Sequence, residues 1–259
     1  MLDQGAVREG VAGGMWTSVT VVPSTGSTNA DLLAAGGPEG QVLVAEEQTA
    51  GRGRMGRSWV SEPGAALTFS VLLRPSAVPP ARHGWLPLLT GVAVVAAVRS
   101  VSGVPSSLKW PNDVLVEGRK LAGILAEQAD DAVVIGVGIN VATSAEALPS
   151  GPGGLPPTSL RVEGAEVPRE RLLVGILHEL ERRYDAFREN PDPSENGLLA
   201  EYRSRCATLG RQVRVELPGG RILAGEATDV DADGRLLVTE PGGKGAVTAV
   251  SAGDVIHVR

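Results

Sequence analysis

Gly51-Arg52-Gly53-Arg54-Met55-Gly56-Arg57 sets three glycines and three arginines in seven residues, and the residues after it decide between two folds. The string satisfies G-x-G-x-x-G, the dinucleotide fingerprint, whose glycine turn must close a strand and open a helix. Here it is followed by Ser58-Trp59-Val60-Ser61-Glu62-Pro63, which has no helical period and ends on proline. No helix opens directly after the glycines, so the doubly wound dinucleotide fold is rejected. What remains is a loop suited to anions. Glycine lets the backbone approach a ligand closely, and guanidinium forks offer paired donors to phosphate or carboxylate oxygens. A solvated basic surface loop has the same composition, so the choice rests on the rest of the chain.

Working outward, the loop joins two strand-like runs, Val42 to Ala45 and Leu67 to Leu73. Ahead of them, β-branched Thr17 to Val22 reads as a strand closed by Pro23. The polar cluster from Ser24 to Asn29 then opens a helix that Gly36-Gly37 ends. Hydroxyls there either cap the helix or hold a polar ligand. Beyond the loop, His83 to Val101 predicts a long buried helix with Pro87 near its start. Four strand runs follow (108–110, 114–116, 121–127 and 132–141), with a tight turn at Glu117-Gly118 and a loop over 143–157. Apolar residues at 172, 173, 176, 177, 180, 184 and 187 mark one face of a helix over 168–190. Another helix is expected over 197–207.

After Leu209-Gly210 the chain turns to short β-type runs (213–215, 222–224, 236–238, 247–250 and 255–258) separated by glycine-rich turns. The expected fold class is therefore α+β, a mixed or antiparallel sheet with flanking helices, plus a small C-terminal SH3-like β-barrel. The expected boundaries are a disordered segment over 1–16, a ligand-binding domain over 17–208 and the barrel over 209–259.

Composition narrows the function. The chain has 259 residues, 42% hydrophobic and 21% charged, with a net charge of -6. That balance argues against a general nucleic-acid binder, whose affinity comes from cations meeting phosphates. A single cysteine, Cys206, excludes an internal disulfide and a Cys-x-x-Cys metal knuckle, and fits a reducing compartment. The apolar run from Trp85 to Val98 is interrupted by Pro87, Thr90 and Gly91 and is too short for a membrane span. The N-terminus lacks the apolar centre of a signal peptide, so a cytoplasmic location is expected.

Two more signals bear on chemistry. Lys109-Trp110-Pro111-Asn112-Asp113 puts a polar pair after a strand-stopping proline. Lys120 leads into an apolar strand, where a lysine either snorkels to solvent or serves a site. Ile135-Gly136-Val137-Gly138-Ile139-Asn140-Val141 sets two glycines inside a strand, a sign that another backbone or a ligand lies against it.

Taken in order, Ser27-Thr28-Asn29, Gln48 with the Gly/Arg run, Lys-Trp-Pro-Asn-Asp, Arg119-Lys120-Leu121-Ala122-Gly123 and Gly-Val-Gly-Ile-Asn resemble the biotin protein ligases, the biotin branch of the biotinyl/lipoyl ligase superfamily, from about residue 17 to the C-terminus. The resemblance implies a class II synthetase-like catalytic domain that couples biotin to ATP, releasing pyrophosphate. It then transfers the biotinyl group to one lysine of a carrier domain of an acyl-CoA carboxylase. It also implies that Lys120, Arg54 and Lys109 serve catalysis, with Lys120 between the biotin carboxylate and the α-phosphate. Ser27, Thr28, Asn29 and Gln48 would hold the polar ends of biotin, Arg52, Gly53 and Arg54 would fold over it, and Gly136 and Gly138 would form its floor. Arg57, Trp59, Lys109, Asn112 and Asn140 would face ATP. Magnesium is expected with ATP, and Asn112 and Asp113 are weak candidates in the absence of an acidic cluster.

Anion must meet anion when a carboxylate attacks a phosphate, which accounts for the cations. A Gly/Arg loop that closes over the product would protect a hydrolysable anhydride. Regulatory family members carry an N-terminal winged helix, for which the residues before the first strand leave no room, so no DNA binding is expected. A homodimer stays open. So do two other readings: lipoate or octanoyl transfer within the superfamily, and an RNA-binding module using the Arg/Gly run.

Overall fold

The computed structural model describes residues 1–148, 155–217, 220–241, 246–251 and 253–258. The first sheet holds β1 (Ser18–Val22), β2 (Gln41–Ala45), β3 (Ala66–Leu73), β4 (Ser107–Lys109), β5 (Asp113–Val116), β6 (Arg119–Ala129) and β7 (Ala132–Asn140), in the spatial order β1-β2-β3-β7-β6-β5-β4. The β1–β2 pair is parallel because a helix crosses between them; the other pairs are antiparallel. At the expected tight turn, Glu117 (φ 49°) and Gly118 (φ 78°) are both left-handed, the backbone that matches the twist of a two-residue hairpin.

Alternation along the central strands sorts their residues between two faces. Leu67, Phe69, Val71 and Leu73 of β3 and Val133, Ile135, Val137 and Ile139 of β7 belong to the main core. That core lies under the helices α3 (Trp85–Ser102) and α4 (Arg169–Glu189). The opposite face carries Leu72 and Val134, which pack against Leu32 of α2 (Thr28–Ala35). Past that contact its residues are Thr68, Ser70, Gly136, Gly138 and Asn140, polar or without a side chain, and here the face stays open. Helix α3 has the length and hydropathy of a membrane span. It is nonetheless the central core helix, with Trp85, Leu86, Leu89, Val92 and Val98 fully buried. On α4 the apolar stripe is buried as its spacing requires.

The expectation of disorder over residues 1–16 is overturned. Gln4–Gly10 form α1, capped by the Asp3 side chain, which accepts from the Ala6 N–H. Leu2, Val7, Val11 and Trp16 are buried in the main core. The glycines that suggest flexibility are close-packing positions: a Cβ on Gly10 would sit 2.7 Å from Val174 Cγ2 on α4. Local propensity is weak here, and tertiary burial decides the conformation.

The second sheet holds β8 (Gln212–Glu216), β9 (Ile222–Val230), β10 (Leu236–Thr239), β11 (Val247–Val250) and β12 (Asp254–His257), all antiparallel in the order β11-β10-β9-β8-β12. Strand β9 runs well past the expected 222–224. The predicted glycine turns over 218–219 and 242–245, and part of the loop over 143–157, lie outside the described residues. The predicted helix over 197–207 is α5 (Leu198–Arg205), and it leads to Cys206, whose thiol is buried and free.

Two tryptophans seat this sheet on the first. Trp85 Nε1 donates to the Ala232 carbonyl at 2.9 Å, and Trp110 Nε1 donates to the Gly234 carbonyl at 3.0 Å. Both carbonyls belong to the β9–β10 turn. Indole is mostly apolar with one donor, so it can bury area and fix orientation together.

Candidate active site

The open face of the sheet is the floor of a cavity of ≈ 200 Å³, and every site residue named from the sequence lines it. The floor is built of cross-strand rows. Ser70, Gly136 and Leu125 pair across β3, β7 and β6, and Thr68, Gly138 and Gly123 form the next row. Each row has glycine on its middle strand because a side chain drops onto it from above. A Cβ on Gly136 would collide with Asn29 Oδ1, and one on Gly138 with the Trp59 indole. Trp59 Nε1 is shielded and has no hydrogen-bond partner among the described residues.

The end beneath α2 is neutral and closely wired. Ser27 caps the helix, accepting from the Ala30 N–H at a long 3.5 Å. Capping therefore explains Ser27 but not its neighbours, whose side chains turn to the sheet. Gln48 Oε1 accepts from the Thr28 main-chain N–H at 2.8 Å. Ser70 Oγ lies 2.6 Å from both Thr28 Oγ1 and Asn29 Oδ1. Asn29 Nδ2 donates to Glu127 Oε2 at 2.8 Å and to the Leu125 carbonyl at 3.2 Å. Thr28, Asn29 and Ser70 are all buried, as groups with satisfied hydrogen bonds can be.

The other end is charged. Among the described residues, four cations (Arg54, Arg57, Lys109 and Lys120) line this end with two carboxylates, Asp113 and Asp254, while a fifth, Arg52, reaches back toward Glu127 beside Asn29. Lys120 does not snorkel. Its main chain is clamped by 156–158, donating to the Pro156 carbonyl and accepting from the Thr158 N–H, both at 2.8 Å. Its Nζ lies 2.6 Å from Asp113 Oδ1, and Lys109 Nζ lies 3.9 Å from Oδ2 of the same carboxylate. Burial pulls the Lys109 ammonium below the ordinary lysine range, the nearby Lys120 and Arg57 add to this, and Asp113 and Asp254 oppose it.

The Gly/Arg loop closes on itself: Trp59 N–H donates to the Gly51 carbonyl at 2.9 Å and Gly53 N–H to the Arg57 carbonyl at 2.7 Å. Arg54 then donates to Asn112 Oδ1 at 3.1 Å, and Arg57 pairs with Asp254 of β12. Asn140 is buried, its amide donating to the Thr158 carbonyl at 2.9 Å.

These positions coincide with a known family. The biotin/lipoate A/B protein ligase family model matches residues 18–140, and the biotin protein ligase C-terminal domain model matches 208–258. The biotin–[acetyl-CoA-carboxylase] ligase of Mycobacterium tuberculosis is 47% identical, over 100% of this chain and 96% of its own length. The chain belongs to the biotin protein ligase family. A bifunctional ligase/repressor of Escherichia coli is 35% identical over 87% of this ligase and 70% of its own length. The structure of a biotin protein ligase from Aquifex aeolicus in complex with biotin and ATP superposes with a TM-score of 0.78 at 28% identity, covering 94% of this chain and 99% of that one.

Sequence reasoning missed three residues that bond to the named ones: Ser70, Glu127 and Asp254. Ser70 was visible as one of two polar residues, with Thr68, sharing a face in an otherwise apolar strand. Glu127 has the strand parity of Gly123 and Leu125, a weaker sign. Asp254 had no local sign at all, since its contact with Arg57 spans 197 residues of chain. The weak metal candidates are engaged elsewhere: Asn112 Oδ1 accepts from Arg54 and Asp113 pairs with both lysines. No group of three or more His, Cys, Asp or Glu able to hold a metal occurs among the described residues.

Proposed function

We propose that this ligase activates biotin with ATP and passes the biotinyl group to a lysine of a carboxylase carrier domain in the cytoplasm. The observation that carries the reading is the polarity of the cavity, neutral and wired beneath α2 and cationic at the far end. Biotin has matching halves, an uncharged ureido ring and a carboxylate on an apolar chain. The ring would sit over the Ser70–Gly136–Leu125 row, read by Ser27, Thr28, Asn29 and Gln48. The chain would run along the Trp59 indole that covers Gly138, toward Lys120.

In the first step a carboxylate oxygen attacks the α-phosphorus of ATP, the bond to the bridging oxygen breaks and pyrophosphate leaves. Lys120 would hold the carboxylate against the phosphate. Arg54, Arg57 and Lys109 would take up the charge that builds on phosphate oxygens in a largely dry site, where preorganised donors have most effect. Trp59, Asn112 and Asn140 would border the adenosine. In the second step the acceptor ε-amine attacks the carbonyl of the mixed anhydride and AMP departs. The proton lost by the amine is free to pass to solvent or phosphate. The loop of Arg52, Gly53 and Arg54 would exclude water between the steps.

Magnesium suits the residues only as a passenger on the ATP phosphates. Asp113 would supply one oxygen, in keeping with a cation that retains phosphate and water ligands, and the ion would screen phosphate charge.

The test is exchange of labelled pyrophosphate into ATP. Exchange dependent on biotin and magnesium is expected; exchange that runs with lipoate or octanoate and not with biotin would sink the reading.

A further inference from the structure

We propose that Glu127, from β6, is a positioning residue that sets the orientation of the Asn29 carboxamide and so makes the ring end of the cavity selective for ligand N–H groups. The inference rests on the biotin reading above and adds to it a residue outside the cavity lining.

The argument follows the hydrogens. Both contacts of Asn29 Nδ2, Glu127 Oε2 at 2.8 Å and the Leu125 carbonyl at 3.2 Å, are with atoms that only accept. An amide flipped the other way would aim its oxygen at a carboxylate and a carbonyl, so the nitrogen must face β6. Asn29 Oδ1 then faces Ser70 and the space above Gly136. Ser70 is fully buried and has one proton. Its Oγ lies 2.6 Å from Asn29 Oδ1, which cannot donate, and 2.6 Å from Thr28 Oγ1, which can. The proton of Ser70 therefore goes to Asn29, and the Thr28 hydroxyl has Ser70 Oγ and, at 3.1 Å, Gln48 Oε1 as its acceptors. Gln48 Oε1 accepts from the Thr28 N–H at 2.8 Å and lies 3.1 Å from the Thr28 hydroxyl, which leaves Gln48 Nε2 as a donor with no partner among the described residues.

The result is a fixed pattern. Toward the cavity, Asn29 Oδ1 and Thr28 Oγ1 offer lone pairs and Gln48 Nε2 offers hydrogens. A cyclic urea, with two N–H groups and one carbonyl, complements that set; a ring lacking the N–H groups would leave buried acceptors unpaired. Glu127 is the charged end of the chain of bonds. The Leu125 carbonyl can satisfy one hydrogen of Nδ2, and Glu127 takes the other with the stronger charge-assisted bond. Its second oxygen lies 3.5 Å from Arg52 Nη1 of the Gly/Arg loop, a long and half-exposed contact that contributes little. The orienting role can be separated from that contact, because a glutamine at 127 still offers Asn29 an oxygen.

The experiment compares the full-length parent, Glu127→Gln, Glu127→Ala and Ser70→Ala in steady-state pyrophosphate exchange. The probes are biotin and a ureido-N-methylated biotin, with KM for ATP measured in parallel and thermal unfolding recorded for each variant. Loss of one buried hydrogen bond predicts about a tenfold higher KM for biotin in Glu127→Ala. With it, kcat and KM for ATP should stay near the parent values, and the preference for biotin over the methylated probe should shrink. Glu127→Gln should restore most of both. Ser70→Ala removes the donor on the other side of the same carboxamide and should narrow the preference in the same way, which decides the matter if Glu127→Ala does not fold. An unchanged preference in both alanine variants, or a glutamine variant as impaired as the alanine one, would overturn the orienting role. A parent with no biotin-dependent exchange would instead overturn the functional reading.

Discussion

The two ends of the cavity are built on opposite plans. Beneath α2 the polar side chains that face the cavity from Thr28, Asn29 and Gln48 are neutral and already bonded to the protein, with Ser70, Asn29 and Thr28 buried and the one carboxylate, Glu127, set behind Asn29. At the far end the side chains are ionic, and each main cation has a carboxylate or amide partner: Lys120 with Asp113, Arg57 with Asp254 and Arg54 with Asn112. A neutral network can be completed in the fold and left in place, because its bonds to the ligand use lone pairs and hydrogens to spare. A cluster of like charges cannot be left bare. It needs counter-ions that share it with, or yield it to, an incoming phosphate. The ring end is thus organised to select, the charged end to respond.

The largest effect should come from breaking the charged end. Lys120→Ala removes a cation whose main chain is clamped independently of its side chain, so folding should survive. Adenylate formation should lose about 2 to 4 kcal/mol of transition-state stabilisation, roughly 30- to 1000-fold in rate. Single-turnover formation of labelled adenylate checks this, and near-parent rates would make Lys120 a spectator. A smaller, differently placed effect is expected from Gly136→Ala at the neutral end. Its methyl group would displace Asn29 Oδ1 and strand a buried amide, at about 1 to 3 kcal/mol. Biotin binding followed by calorimetry should weaken by roughly 5- to 150-fold, with ATP binding unmoved. An equal loss for both ligands would contradict the division into two ends.

The smallest effect concerns the margin of the charged end. His257 Nε2 lies 3.1 Å from Thr208 Oγ1. Burial, with Lys109 and Arg211, depresses its pKa from the ordinary 6.5 to about 4. Below pH 6.5 the unfolded chain takes a proton that the fold refuses, so this stability is complete above 6.5 and is lost as pH falls toward 4. His257→Asn should flatten the fall in Tm between pH 7 and 5 by roughly 2 °C. Parallel slopes for parent and variant would show that the residue stays neutral at no cost.

Much of this was legible before the fold was seen. Punctuation by proline and glycine marked the strand ends around the Gly/Arg loop, and the motif order brought the site residues into view. The N-terminal segment shows the limit. Its sequence predicts disorder, yet Gly10 and Gly14 are the places where Val174 and Glu181 of α4 lie too close for a Cβ. Propensity describes an isolated chain, and only packing against Val174 and Glu181 gives those glycines their meaning.

Lys120 draws the line most sharply. Strict alternation on β6 puts Lys120 and Gly123 on opposite faces. The register slips by one residue where Leu115 pairs with Lys120 and Val114 with Ala122, and this bulge brings Lys120 round to the side of Gly123, 3.4 Å from where its Cβ would be. By itself the sequence determined which residues are apolar, which turns are tight and which strand leaves glycine gaps, since period and turn chemistry act over a few residues. Tertiary structure decided what fills those gaps. Asn29 meets Glu127 across 98 residues and Arg57 meets Asp254 across 197, because strand order and the docking of the second sheet follow from burial summed over the whole chain, which no local pattern encodes.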